Sequence, residues 1–62
     1  MTEWQNRVVE EQDELENKIG KLSGFLGDPN DVPSEERVRM HTQLGLMEQY
    51  NRVLIDRIDA FA

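Results

Sequence analysis

The sequence predicts an all-α fold: an antiparallel two-helix hairpin that assembles into a homo-oligomeric bundle. Three observations carry this reading. Two long stretches place apolar residues at helical spacing, and the only low-propensity segment, residues 27–33, lies between them. The second stretch also has more apolar surface than one partner helix can cover.

The first helix is expected from about Glu3 to Leu26. Thr2 suits the N-cap, Glu3 complements the helix dipole in the first turn, and Trp4, Val8, Leu15, Ile19, Leu22 and Leu26 form the apolar stripe. Beside that stripe lie Arg7, Glu11, Glu14, Lys18, Lys21 and Phe25. Arg7–Glu11 and Glu14–Lys18 have the i,i+4 spacing of ordinary surface ion pairs. Gly20 and Gly24 stand one turn apart on the side away from the stripe, where either the helix frays or something approaches its backbone.

The turn reads Gly-Asp-Pro-Asn-Asp-Val-Pro. Gly27 suits a left-handed C-cap, and Ser34 suits the N-cap of the next helix ahead of Glu35 and Glu36. So short a connection makes the helices antiparallel. The second helix is expected over about 34–60, and the whole chain, 1–62, forms one domain. Met40, Leu44, Met47, Asn51, Leu54, Ile58 and Phe61 advance by alternating fours and threes, the seam of a helix packed lengthwise on a partner. Asn51 is a register-setting polar residue within that seam. Leu46, Tyr50 and Val53 widen the apolar arc and are expected at an oligomer interface, with Arg39 and Arg57 at its edge. Glu48–Arg52 and Arg52–Asp56 are further i,i+4 pairs on the outward face.

A chain of 62 residues has a marginal core, and without cysteine and with one histidine neither a disulfide nor a zinc site can supplement it. Self-association remains. A net charge of −6 and a pI near 4.5 exclude a protein that coats polymeric nucleic acid, while a small anion can be held wherever a few cations converge. No apolar run spans a membrane and no leader precedes the first helix, which points to the cytoplasm. His41 lies on the outward face with no nucleophile beside it, no inward Glu-x-x-His pair suggests a metal, and no cofactor is expected. The chain is not read as an enzyme.

Several residues admit two roles. Trp4 either packs near Phe61 or stacks on a purine base close to lysines that pair with phosphate. Arg39 and Arg57 face either a carboxylate across an interface or a ligand between subunits.

Trp4, Arg7, Val8, Glu11, Leu15, Lys18, Lys21, Leu22, Phe25 and Leu26, followed by Gln43, Met47, Tyr50, Leu54, Arg57 and Ile58, resemble the short phage helical-hairpin family that includes the anti-CBASS cyclic-nucleotide sponges. The same hairpin forms part of the Thoeris-blocking sponges. The resemblance implies a homohexamer that sequesters cyclic oligonucleotide second messengers, such as cyclic GMP-AMP or cyclic tri-adenylate, without cleaving them. It implies a cyclic dinucleotide site using Trp4, Arg7, Lys18 and Lys21, and a cyclic trinucleotide site using Arg57 and Arg39. Known sponges use tyrosine for the stacking role, so Trp4 is a departure. The alternative from a different class is a structural or adaptor hairpin that docks a protein partner and has no nucleotide ligand.

Overall fold

A computed structural model describes residues 1–62 and consists of two α-helices, α1 (Glu3–Gly27) and α2 (Ser34–Phe61), packed antiparallel in a rod of 44 × 14 × 14 Å. The all-α hairpin agrees with the expectation from periodicity, and α1 runs through Gly20 and Gly24 without fraying. A Cβ at either glycine would meet nothing within 4 Å, so neither serves the hairpin's own packing.

The N-terminus of α1 is closed by a reciprocal cap. The Gln5 backbone N–H donates to Thr2 Oγ1, and the Thr2 N–H donates to Gln5 Oε1. Both expected caps at the turn are corrected. Gly27 is the last helical residue and no residue has positive φ, so no left-handed cap forms. Side chains satisfy the end of α1 instead. Asn30 Nδ2 donates to the carbonyls of Phe25 and Asp28, at 3.0 and 2.9 Å, and Arg37 Nη2 donates to the Leu26 carbonyl at 2.7 Å. Asn30 Oδ1 in turn accepts from Arg37 Nη1 and from the Val32 N–H, which ties the turn to both helices. At the start of α2, Pro33 occupies the N-cap and Ser34 is already helical. Proline fixes φ for this entry without offering a side-chain cap.

The core is small. Only Val8, Leu15, Leu26 and Leu54 are buried, and Leu54 packs with Val8 and Leu15, flanked by Ile19, Met47, Ile58 and Phe61. The polar seam position finds its partner across the hairpin, where Gln12 Nε2 donates to Asn51 Oδ1 at 3.1 Å in a half-buried setting. Sliding α2 by one turn would strand both amides, so this bond favours one register. Leu46, Tyr50 and Val53 remain exposed at 62%, 44% and 52%, which leaves the wide arc of α2 uncovered by α1.

Leu54 is the one fully buried side chain. Leu54→Ala is expected to destabilise the hairpin by about 3 kcal/mol. Denaturant unfolding followed by circular dichroism measures this, and a loss below about 1 kcal/mol would show that the core is centred elsewhere.

Candidate functional site

Register determines which charges share a side. Tyr50 of α2 donates a hydrogen bond from its hydroxyl to the Glu11 carboxylate of α1. This joins the flank of α1 that carries Arg7, Glu11, Lys18, Lys21 and Phe25 to the flank of α2 that carries Arg39, Leu46, Tyr50, Val53 and Arg57. Between them runs a shallow groove. Lys18, Lys21, Leu22, Phe25, Met40, Gln43 and Met47 line one part, and Arg39, Thr42, Gln43, Leu46, Met47 and Tyr50 the next, so Gln43 and Met47 are common to both.

Of the seven basic residues, Arg37 is taken up by the turn. Arg52 lies on the opposite side, in a depression it shares with Glu16, Glu48, Asp56 and Asp59. The remaining five, Arg7, Lys18, Lys21, Arg39 and Arg57, all fall on the groove side. An acidic chain thus has one side where five cations stand with exposed apolar surface, accompanied by Glu3, Glu11, Glu14 and Glu36, and another where Glu16, Glu48, Asp56 and Asp59 surround Arg52.

Two of the five have carboxylate partners within the chain. Arg7 bonds to Glu3, and Arg39 Nε donates to Glu36 Oε1 at 2.9 Å. The expected pairs Arg7–Glu11, Glu14–Lys18, Glu48–Arg52 and Arg52–Asp56 do not form. Glu11 is engaged by Tyr50, and Arg7 reaches back to the first turn. Exposed pairs of this kind are worth little, so either choice of partner costs little. Lys18, Lys21 and Arg57 are left without a carboxylate.

The residues expected to serve a cyclic dinucleotide are not brought together within one hairpin. Trp4 sits at the far end from the turn, where its ring meets Phe61 edge to face, with centroids 5.4 Å apart and planes at 75°. Its expected packing role therefore holds, while 54% of its surface remains open. Lys18 and Lys21 are 14 and 17 residues further along a continuous helix, about 21 and 26 Å away at a rise of about 1.5 Å per residue. Arg39 and Arg57 share one edge of α2 but are about 27 Å apart by the same rise. Neither pair can grip one small ligand inside a single chain.

Tyr50 and Glu11 form the part of the site that the sequence reading missed as a pair. Their 39-residue separation conceals the contact, and only the hairpin register reveals it. The hydrogen bond to Glu11 is the main cause that raises the Tyr50 phenol above its ordinary value of 10.0; burial and the Glu11 charge add to it, and the nearby Arg57 charge opposes it. No group of His, Cys, Asp and Glu is arranged to hold a metal ion, and no helix is long and apolar enough to cross a membrane.

The fold and this side of it define a class: a two-helix hairpin with five cations and exposed apolar surface on one side. The chain belongs to the Sequestin family, whose family model matches residues 2–60. That name denotes sequestering, which points to a binding protein rather than an enzyme, and the match fits the phage hairpin sponges that the residue pattern resembles. No curated protein and no solved structure matches the chain.

Tyr50 is the only tyrosine, so its ionisation can be followed by absorbance alone. The neutral phenol is the bonded form, so the contact contributes fully below pH 10 and is lost as pH rises through the raised native value. Spectrophotometric titration is expected to place Tyr50 above 10 and to move it down toward 10 in Glu11→Ala. Identical curves for the two proteins would mean that Glu11 does not hold the hydroxyl in solution.

Proposed function

We propose that this protein is a phage anti-defence sponge, which binds cyclic di- or trinucleotide messengers and sequesters them without cleavage, blocking CBASS-type immunity in the host cytoplasm. The observation that carries the reading is the collection of five cations on the same side as exposed Trp4, Phe25, Leu46 and Tyr50, in a chain whose net charge is −6. Cyclic oligonucleotides need cations for their phosphates and apolar or aromatic surface for their bases. Polymeric nucleic acid, by contrast, would face a net repulsive field.

The spacing within one chain makes the dinucleotide site a shared one. On α1 the series Trp4, Arg7, Glu11, Glu14, Lys18, Lys21 advances by 3, 4, 3, 4, 3 and reads the same in both directions. An antiparallel second copy sets Trp4 opposite the partner's Lys21, and Arg7 opposite the partner's Lys18, so each end supplies a ring and cations to one ligand. Arg57 and Arg39 serve the trinucleotide. Assembly also covers Leu46, Tyr50 and Val53, and the reading takes it to a hexamer. Symmetry multiplies each cation without changing the acidic composition of the chain.

Calorimetric titration with a panel of cyclic dinucleotides and cyclic trinucleotides tests this. Submicromolar binding to at least one member is expected, weakening as salt is raised, and the ligand should be recovered intact after heat denaturation of the complex. Lys18→Glu and Lys21→Glu should each weaken cyclic dinucleotide binding about tenfold or more. A folded, oligomeric protein that binds nothing in the panel would favour an adaptor that docks another protein. Recovery of linear products would make the protein a hydrolase.

A further inference from the structure

Trp4 is 54% exposed, yet it is held from two directions. The reciprocal cap between Thr2 and Gln5 fixes the backbone on either side of it, in the first turn of α1, where helix ends otherwise fray. Its ring meets Phe61 of α2 edge to face, with centroids 5.4 Å apart and planes at 75°. Phe61 is itself anchored. It is the last helical residue of α2, the Ala62 N–H closes that turn onto the Ile58 carbonyl at 2.9 Å, and its side chain packs against the cluster of Val8, Leu15 and Leu54. A line of contact thus runs from the buried core through Phe61 to an exposed indole.

We infer that Phe61 is a positioning residue: it holds the Trp4 indole in one orientation, with a face presented to the base of a cyclic dinucleotide. The edge-to-face geometry makes the packing and stacking roles of Trp4 compatible. In such a pair one ring presents its edge and the other its face, so at most one face of the indole is taken, whichever ring supplies the edge. The other face stays available to a base.

The gain is one of preorganisation. A tryptophan free on a helix surface samples several rotamers, and a base that stacks on it has to order the ring at the moment of binding. Contact with Phe61 orders the ring on folding instead. The phosphate side of the ligand finds a cation at the same end of the rod. Arg7 stands about 4.5 Å further along the axis, and its bond to Glu3 turns it back toward the level of the ring. Phe61 does not touch the ligand in this arrangement, so its whole effect on affinity passes through Trp4.

The inference rests on the cyclic dinucleotide part of the proposed function. Trp4 is the only tryptophan, so fluorescence reports this ring alone. In the unmodified, ligand-free protein, time-resolved anisotropy is expected to show the indole turning with the rod. Dominant sub-nanosecond ring motion would overturn the inference without any variant having to fold. In Phe61→Leu, which keeps apolar volume against the core, that fast motion should appear while circular dichroism and sedimentation stay those of the unmodified protein. Calorimetry with cyclic GMP-AMP, cyclic di-AMP and cyclic di-GMP then reads the consequence. Phe61→Leu is expected to bind about three- to tenfold more weakly, and Phe61→Tyr, which restores a ring edge, within about twofold of the unmodified protein. In a Trp4→Ala background, Phe61→Leu should cost nothing further. Unchanged affinity in Phe61→Leu, an equal loss in Phe61→Tyr, or a further loss in the Trp4→Ala background each overturns the inference and leaves the sponge reading standing. Binding of cyclic trinucleotides alone does the same. If the unmodified protein binds no cyclic nucleotide of either ring size, the sponge reading falls and takes this inference with it.

Discussion

The register between the two helices is the constraint on which the rest of the molecule depends. Leu54 packing with Val8 and Leu15 supplies the apolar attraction, but a core of four buried residues is a weak ruler by itself, because leucines one turn apart offer similar burial. The Gln12–Asn51 hydrogen bond and the turn bound by Asn30 and Arg37 make the choice discrete. With that register, Glu11 lies under Tyr50 and Trp4 lies on Phe61. A slip of one turn would remove these contacts together and displace Lys18 and Lys21 from Gln43 and Met47.

Charge follows from the same constraint. Thirteen acidic and seven basic residues would give a uniformly repulsive surface to a phosphate if they were interspersed evenly. The hairpin separates them in part: Glu16, Glu48, Asp56 and Asp59 gather on one side, while five cations stand on the other with Glu3, Glu11, Glu14 and Glu36 among them. The Debye length near physiological salt is about 8 Å, so a bound anion experiences mainly the side it touches. The rod is 14 Å across, wide enough for the acidic side to be largely screened from the groove. Local arrangement thus reconciles a negative net charge with anion binding.

The hairpin itself was legible in the residues. Heptad-like spacing from Met40 to Phe61, the apolar stripe of α1 and the proline-bracketed turn each depend on local periodicity, and the structure follows them within a residue or two at every boundary. The cap at Thr2 was equally local. At the turn the local reading failed for Gly27, because the carbonyls at the end of α1 are satisfied from outside it, by Asn30 in the turn and Arg37 of α2, and for Ser34, because Pro33 takes the N-cap position and Ser34 is already helical. Propensity describes which residue could cap a helix; it does not reveal that a distant side chain has already done so.

The candidate site divides along the same line. The sequence by itself determined the helices, their antiparallel order, the excess apolar arc at Leu46, Tyr50 and Val53, and the symmetric spacing of the charged residues, since all of these follow from a period of 3.6 residues and a short connection. Only the tertiary structure decided that Tyr50 meets Glu11, that Arg37 closes the turn, that five cations share one side, and that the Trp4 ring meets Phe61 edge to face. The physical reason is that these relations depend on how far one helix slides and turns against the other. That is set by a few buried contacts and one amide pair across the hairpin, 39 residues apart in the chain.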